Sequence, residues 1–200
     1  TDAGTPASGY MWDLCKRKGL TYRSYGEFAR RLSEGEPMTT LAAGLVGHVA
    51  PNYLSWGARD TENAAEFIRE FNDYVTHYDS ADPEKRLPSY TVLALPEDHT
   101  KGGSPGQPTI QAAVASNDLG LGMIVEAISH SPYWPETAIF VIEDDAQNGS
   151  DHVDARRTIG FVISPYTRRA SVDSTFYTTS SMWRWISAPS TKCPWTSLTA

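Results

Sequence analysis

The segment from Tyr90 to Ile142 constrains the fold more than any other part of the chain. Tyr90-Thr91-Val92-Leu93-Ala94-Leu95 is a continuous apolar run of strand length, the pattern of a strand covered on both faces. A Gly/Pro-rich loop follows, Lys101-Gly102-Gly103-Ser104-Pro105-Gly106-Gln107-Pro108. Apolar residues then recur at helical spacing from about Thr109 to Ser129, which places Ala113, Leu119, Leu121, Ile124, Val125 and Ile128 inside. A second apolar run, Ala138-Ile139-Phe140-Val141-Ile142, closes the segment. Strand, loop, helix, strand is the signature of a right-handed βαβ unit, so an α/β fold with a mostly parallel sheet is expected.

Such sheets bind ligands outside the carboxyl ends of their strands. Asp98-His99 follows the first run and Asp144-Asp145 the second, while a third strand-like run, Thr158 to Ile163, leads into Ser164-Pro165-Tyr166-Thr167-Arg168-Arg169. Loops distant in sequence are thus expected to meet on one rim. The middle loop, Glu143 to Asp154, is dense in carboxylates and carries His152. Carboxylates so close repel one another unless cations or hydrogen-bond donors sit among them. Asn148-Gly149 is also a strong turn signal, so the run suits either a hard-metal site or a solvated acidic turn. Oxygen ligands mixed with imidazole fit magnesium, manganese, calcium, iron or zinc in a hydrolytic site better than a structural thiolate centre. Asp98-His99 would form a second ligand pair and His152 a third contribution, unless these imidazoles are structural or surface groups, and Arg168 and Arg169 suit either bidentate phosphate binding or a solvated, salt-bridged turn.

Size and charge narrow the function classes. Two hundred residues suit one globular domain with a sizeable core. A formal charge of -7 leaves no basic excess to track a nucleic-acid backbone. Cys15 and Cys193 are too far apart for a zinc motif and too few for a disulfide framework. No apolar run reaches membrane-spanning length and no signal-peptide pattern opens the chain. The glycine-rich loop lacks Walker spacing, Pro105 and Pro108 remove donors from it, and no Gly-x-Ser-x-Gly elbow occurs.

The preceding residues read as support. A helix opening at Thr5 to Ser8 stops at Gly19, and Leu20 to Tyr25 alternates as a short strand. Gly26 to about Asp60 reads as an irregular connection. Asp60-Thr61-Glu62-Asn63 caps an amphipathic helix with Ala64, Phe67, Ile68, Phe71, Tyr74 and Val75 on its buried face. His77, at the end of that helix, and His48 read as capping or surface residues rather than ligands.

Five stretches together carry a resemblance: Leu95-Pro96-Glu97-Asp98-His99-Thr100, Pro105-Gly106-Gln107-Pro108-Thr109, Ala127 to Trp134, Ile142 to Asp154, and Ile163 to Arg169. Their order and spacing, from about Gly9 to Met182, resemble the bacterial phosphoesterase family, which groups phospholipase C-type enzymes and acid phosphatases within the alkaline phosphatase superfamily. The resemblance implies a metal-dependent phosphate-ester hydrolase on part of an alkaline phosphatase-like α/β/α sandwich, exported to the periplasm or secreted. It implies that Asp144 and Asp145 bind a divalent metal together with His152 and Asp98, and that His99, Arg168 and Arg169 contact the phosphate.

The match is to the C-terminal half of that domain, residues 1–182. The superfamily carries its metal-bound serine or threonine nucleophile in the N-terminal half, so the nucleophile is expected outside this chain. The alternative is a non-catalytic fragment that is structural or self-associates through the face the other half would cover. Arg156 stands where the family pattern often has histidine. Residues 183–200 depart from the family's apolar helix, and with Pro189 and Pro194 among them they are expected to be non-helical and poorly packed.

Overall fold

Tyr10 precedes the first helix, α1 (Met11–Lys18), and its backbone N–H donates to Asp13 Oδ2 at 2.8 Å, satisfying one donor at the helix start. Gly19 ends α1 in the left-handed conformation, φ 66°, which glycine adopts without a Cβ penalty. The structure, a computed structural model, describes residues 6–143 and 158–186. The chain divides into two compact units, Thr1–Tyr133 and Trp134–Ala200.

In the first unit, β1 (Tyr22–Tyr25) pairs in parallel with β4 (Tyr90–Leu93), register Tyr22 to Tyr90 through Tyr25 to Leu93. On its other side β1 bridges in parallel to Val49, where Ser24 N–H donates to the His48 carbonyl and Ala50 N–H to the Ser24 carbonyl, each at 2.8 Å. The segment read as irregular supplies this isolated bridge, together with a small antiparallel pair, β2 (Arg30–Arg31) and β3 (Met38–Thr39). The crossover between β1 and β4 carries α2 (Asp60–Thr76), so the parallel unit is β1-α2-β4.

The sequence placed the unit one strand later. Among the described residues, β4 finds its partner in β1, whereas β5 (Ile139–Ile142) pairs antiparallel with β6 (Gly160–Ile163) in the second unit. The expected mostly parallel sheet is therefore a small parallel sheet and a separate antiparallel pair. An apolar run does not specify which strand lies beside it. Tyr90 to Leu93 are half-buried rather than enclosed on both faces.

Helix α2 buries Ala64, Phe67, Phe71 and Tyr74 at three- and four-residue spacing, as its periodicity predicts, with Ile68 and Val75 half-buried. Asp60 and Asn63, read as the cap, lie inside the helix and are buried too, and Arg59 is the capping residue. Phe67 meets the Tyr25 ring edge-on at 5.1 Å, and Tyr53 meets it from another side at 5.7 Å. Burying each such ring contributes about 1.5–3 kcal/mol. A second cluster joins α1 to the sheet through Trp12, Cys15, Tyr22, Met38, Leu45 and Val49.

Helix α3 (Ile110–Ser129), capped by the Thr109 hydroxyl accepting from Ala112 N–H at 3.1 Å, packs on α2. It buries Ala113, Gly120, Ile124 and Ile128. Leu119, read as internal, is 58% exposed, because the packed face runs through Gly120 and Leu119 lies to one side of it. At Gly120 the helix lies close against the start of α2: a Cβ there would lie 2.8 Å from the Asp60 carbonyl oxygen. In the second unit, α4 (Thr179–Ile186) extends helix through Trp183 and Arg184, which had been expected to be non-helical. The prolines that prompted that expectation lie beyond Ile186, and residues 187–200 lie outside the described part.

Candidate functional site

The chain leaves β4 through Ala94 and Leu95 into a single turn of 3-10 helix, Pro96–His99. Pro96 suits the first position of such a turn because its missing N–H has no partner there to lose. This turn carries Asp98 and His99, and its position is fixed by a buried carboxylate on another element. Glu97 N–H donates to Asp60 Oδ2 at 2.8 Å, and Asp60 N–H donates to Glu97 Oε2 at 2.9 Å. Asn117 on α3 donates to both Asp60 Oδ2 at 3.0 Å and the Leu95 carbonyl at 2.8 Å. Asn63 donates to Asp60 Oδ1 at 3.3 Å and also holds Ser55, accepting from its N–H at 2.9 Å and donating to its carbonyl at 3.1 Å. Arg59 closes the outer side with an ion pair to Glu97 Oε1 at 2.7 Å.

Asp60 is completely buried. Desolvation pushes its carboxyl above the usual range, outweighing the hydrogen bonds from Glu97, Asn117 and Asn63 that favour the charged form. Desolvation is also the largest single influence on Glu97, but donors that include Asp60 N–H and Arg59 overcome it and hold that carboxyl below its ordinary value. With its oxygens engaged by these donors, the Asp60–Glu97 pair is a positioning device for the turn.

His99 is exposed at the end of the turn, and Asp98 beside it is half-buried. The Trp56 indole and the His99 ring meet at a steep angle, centroids 5.2 Å apart and planes at 80°, and Lys101 Nζ lies over the same indole, 5.8 Å from its centroid. Between His99 and Lys101, Thr100 takes φ 59° and ψ 179°, a region populated almost only by glycine. Sequence reading found Asp98 and His99 but missed Trp56, Lys101 and the Asp60 network. The signal for the network was present: Asp60 and Asn63 continue the three- and four-residue spacing of Phe67, Phe71 and Tyr74, which puts polar residues on a buried face.

Arg168 and Arg169 belong to the second unit, exposed in the turn after β6. That turn is shaped by Ser164, whose Oγ accepts from Tyr166 N–H at 3.1 Å, and by the Thr167 hydroxyl donating to the Ser164 carbonyl at 2.9 Å. Tyr166 OH donates to the Pro135 carbonyl at 2.7 Å within the same unit. The ends of β5 and β6 are joined by the Thr158 hydroxyl donating to Glu143 Oε2 at 3.2 Å. Asp144, Asp145 and His152 lie outside the described residues.

The remaining histidines do structural work. Nδ1 of His77 lies 2.8 Å from the Asp73 carbonyl, and Nδ1 of His130 lies 2.9 Å from the Glu126 carbonyl, so each ring donates to the last turn of its helix. His77 is therefore the capping residue it was read as. His48 stacks on Tyr22 at 4.1 Å.

Among the described residues no three His, Cys, Asp or Glu side chains group as a metal site. Of the four expected ligands, Asp98 alone lies within the described part. No helix among them is long and apolar enough to cross a membrane. No family model, no curated protein and no solved structure matches the chain.

Proposed function

We propose that the chain is the phosphate- and metal-binding part of a metal-dependent phosphate-ester hydrolase, a phosphomonoesterase or a phospholipase C-like phosphodiesterase, whose nucleophile lies outside these residues. The observation that carries the reading is His99: an exposed imidazole at the carboxyl end of a parallel strand, on a turn locked by Asp60 and Glu97 within the Leu95-Pro96-Glu97-Asp98-His99-Thr100 motif. Ligand chemistry in parallel sheets collects at this end of the strands.

In this reading His99 of the first unit would donate to phosphate oxygens with Asp98 beside it a candidate metal ligand, and the second unit carries its own candidates, Arg168 and Arg169 for phosphate and Asp144, Asp145 and His152 for a divalent ion. Such an ion supplies Lewis-acid polarisation and offsets the charge of the phosphoryl centre. Titration calorimetry with manganese or zinc tests it, together with p-nitrophenyl phosphate turnover by the complete enzyme. Asp144→Asn should weaken metal binding and abolish turnover, and full activity in that variant would overturn the reading.

A second reading, a non-catalytic interaction module, is favoured by apolar side chains left in contact with solvent. Phe161 on β6 is 51% exposed and Val162 41%, in addition to Leu119 on α3. Sedimentation showing stable self-association, with no turnover or metal binding under any metal, would favour it over the hydrolase.

A further inference from the structure

Trp56 is the largest exposed side chain next to the candidate phosphate contact, at 59% of its free surface. Leaving an indole in water forgoes the burial that rings of this size usually contribute. Its backbone is nevertheless held firmly. Ser55, immediately before it, is buried with φ 52°, and Asn63 engages both its N–H and its carbonyl. The residue after it, Gly57, has φ 93°. An aromatic side chain projected into solvent from a strained, doubly bonded anchor is displayed rather than left over.

The opposing segment is held in the same way. Thr100 N–H donates to the Glu97 carbonyl at 3.0 Å while Thr100 keeps its glycine-like conformation, so His99 and Lys101 leave the turn in fixed directions. Asn63 grips Ser55 and also reaches Asp60, and Asp60 grips Glu97. Trp56 on one side and His99 and Lys101 on the other therefore hang from one buried network. The result is an exposed indole with an ammonium over one of its faces and an imidazole set at a steep angle to it, both able to donate to an anion. A preorganised surface of this kind recognises an anionic group attached to a flat apolar one.

We propose that Trp56, His99 and Lys101 form a platform for aryl phosphate esters, with the indole stacking on the aromatic group while Lys101 and His99 donate to the phosphate. The proposal rests on the hydrolase reading given above and adds a substrate class to it. Alkyl phosphates would meet the same donors without the stacking surface.

Calorimetric titration of the chain with phenylphosphonate and methylphosphonate, manganese being supplied, separates the two levels of the claim. Neither probe is hydrolysed, so the nucleophile is not needed. The expected result is that phenylphosphonate binds about fivefold more tightly than methylphosphonate. Trp56→Ala should weaken phenylphosphonate more than methylphosphonate and so remove that preference, Trp56→Phe should retain part of it, and Lys101→Ala should weaken both probes. All these positions are exposed, and unchanged thermal unfolding would confirm that the variants fold. Equal affinities for the two probes, or a preference that survives Trp56→Ala, would overturn the platform and leave the phosphate site standing. Failure of both probes to bind would overturn the phosphate reading and the platform with it.

Discussion

Asp60 and Glu97 each accept a hydrogen bond from the other's backbone N–H, at 2.8 and 2.9 Å, so the first turn of α2 and the turn after β4 are tied through both carboxylates. The tie is asymmetric in its surroundings, since Asp60 is enclosed and Glu97 is paired with the more exposed Arg59. Truncating Asp60 leaves Glu97 N–H and the Asn117 and Asn63 amides short of an acceptor in a buried place. Asp60→Ala should therefore cost about 3 kcal/mol, read as a lowered urea midpoint. Glu97→Gln keeps an oxygen for Asp60 N–H and should cost about 1 kcal/mol. Equal losses in the two variants would show that the asymmetry is wrong.

The two carboxylates also respond to pH in opposite senses. Burial raises Asp60 above its ordinary 3.8, so the folded state holds that proton more tightly than the unfolded state. Its contribution is fully present below pH 3.8 and is lost as pH rises through the folded value. Glu97 is held below its ordinary 4.5, so its contribution is present above pH 4.5 and is lost as pH falls through the folded value. Denaturation at neutral pH and near pH 4 should show the deficit of Asp60→Asn relative to wild type growing on acidification. The deficit of Glu97→Gln should shrink over the same interval.

Gly120 and Gly122 lie on the same helix and should respond oppositely to alanine. A Cβ at Gly120 meets the Asp60 backbone at 2.8–2.9 Å, and backbone cannot rotate aside. Gly120→Ala should cost about 1–3 kcal/mol by overpacking. At Gly122 a Cβ meets nothing within 4 Å, and alanine there should stabilise by about 0.5–1 kcal/mol through helix propensity. Thermal unfolding of the two variants checks both signs.

These sites explain what the sequence could and could not convey. Helix α2 was legible because its apolar residues repeat with the helical period, and β4, β5 and β6 because each is an apolar run of strand length. The pairing was not legible: β4 selects β1 through contacts distant in sequence, and an antiparallel β5-β6 pair looks the same along the chain as two parallel strands. Asp98 and His99 were found because they sit together after a strand. Trp56 reaches the same place only through the Ser55-Asn63-Asp60-Glu97 connections, which no local pattern spells out, whereas Lys101 follows two residues after His99 and was read as part of the glycine-rich loop.

Thr100 offers a test in which stability and binding should move apart. Its φ 59° and ψ 179° are ordinary for glycine and costly for a β-branched residue, by roughly 1–3 kcal/mol. Thr100→Gly removes that strain. It also adds chain entropy to the unfolded state, which offsets about 0.5–1 kcal/mol of the gain, and it gives up an exposed hydrogen bond from Gly102 N–H to the Thr100 hydroxyl at 3.3 Å. The net expectation is a variant stabilised by about 1 kcal/mol. The directions in which His99 and Lys101 leave the turn would at the same time be less restricted, so phenylphosphonate should bind about two- to threefold more weakly. A strained residue kept for positioning predicts this opposition. If Thr100→Gly instead lowered stability, the threonine would be holding the turn through contacts rather than presenting its neighbours, and its strain would have no bearing on ligand binding.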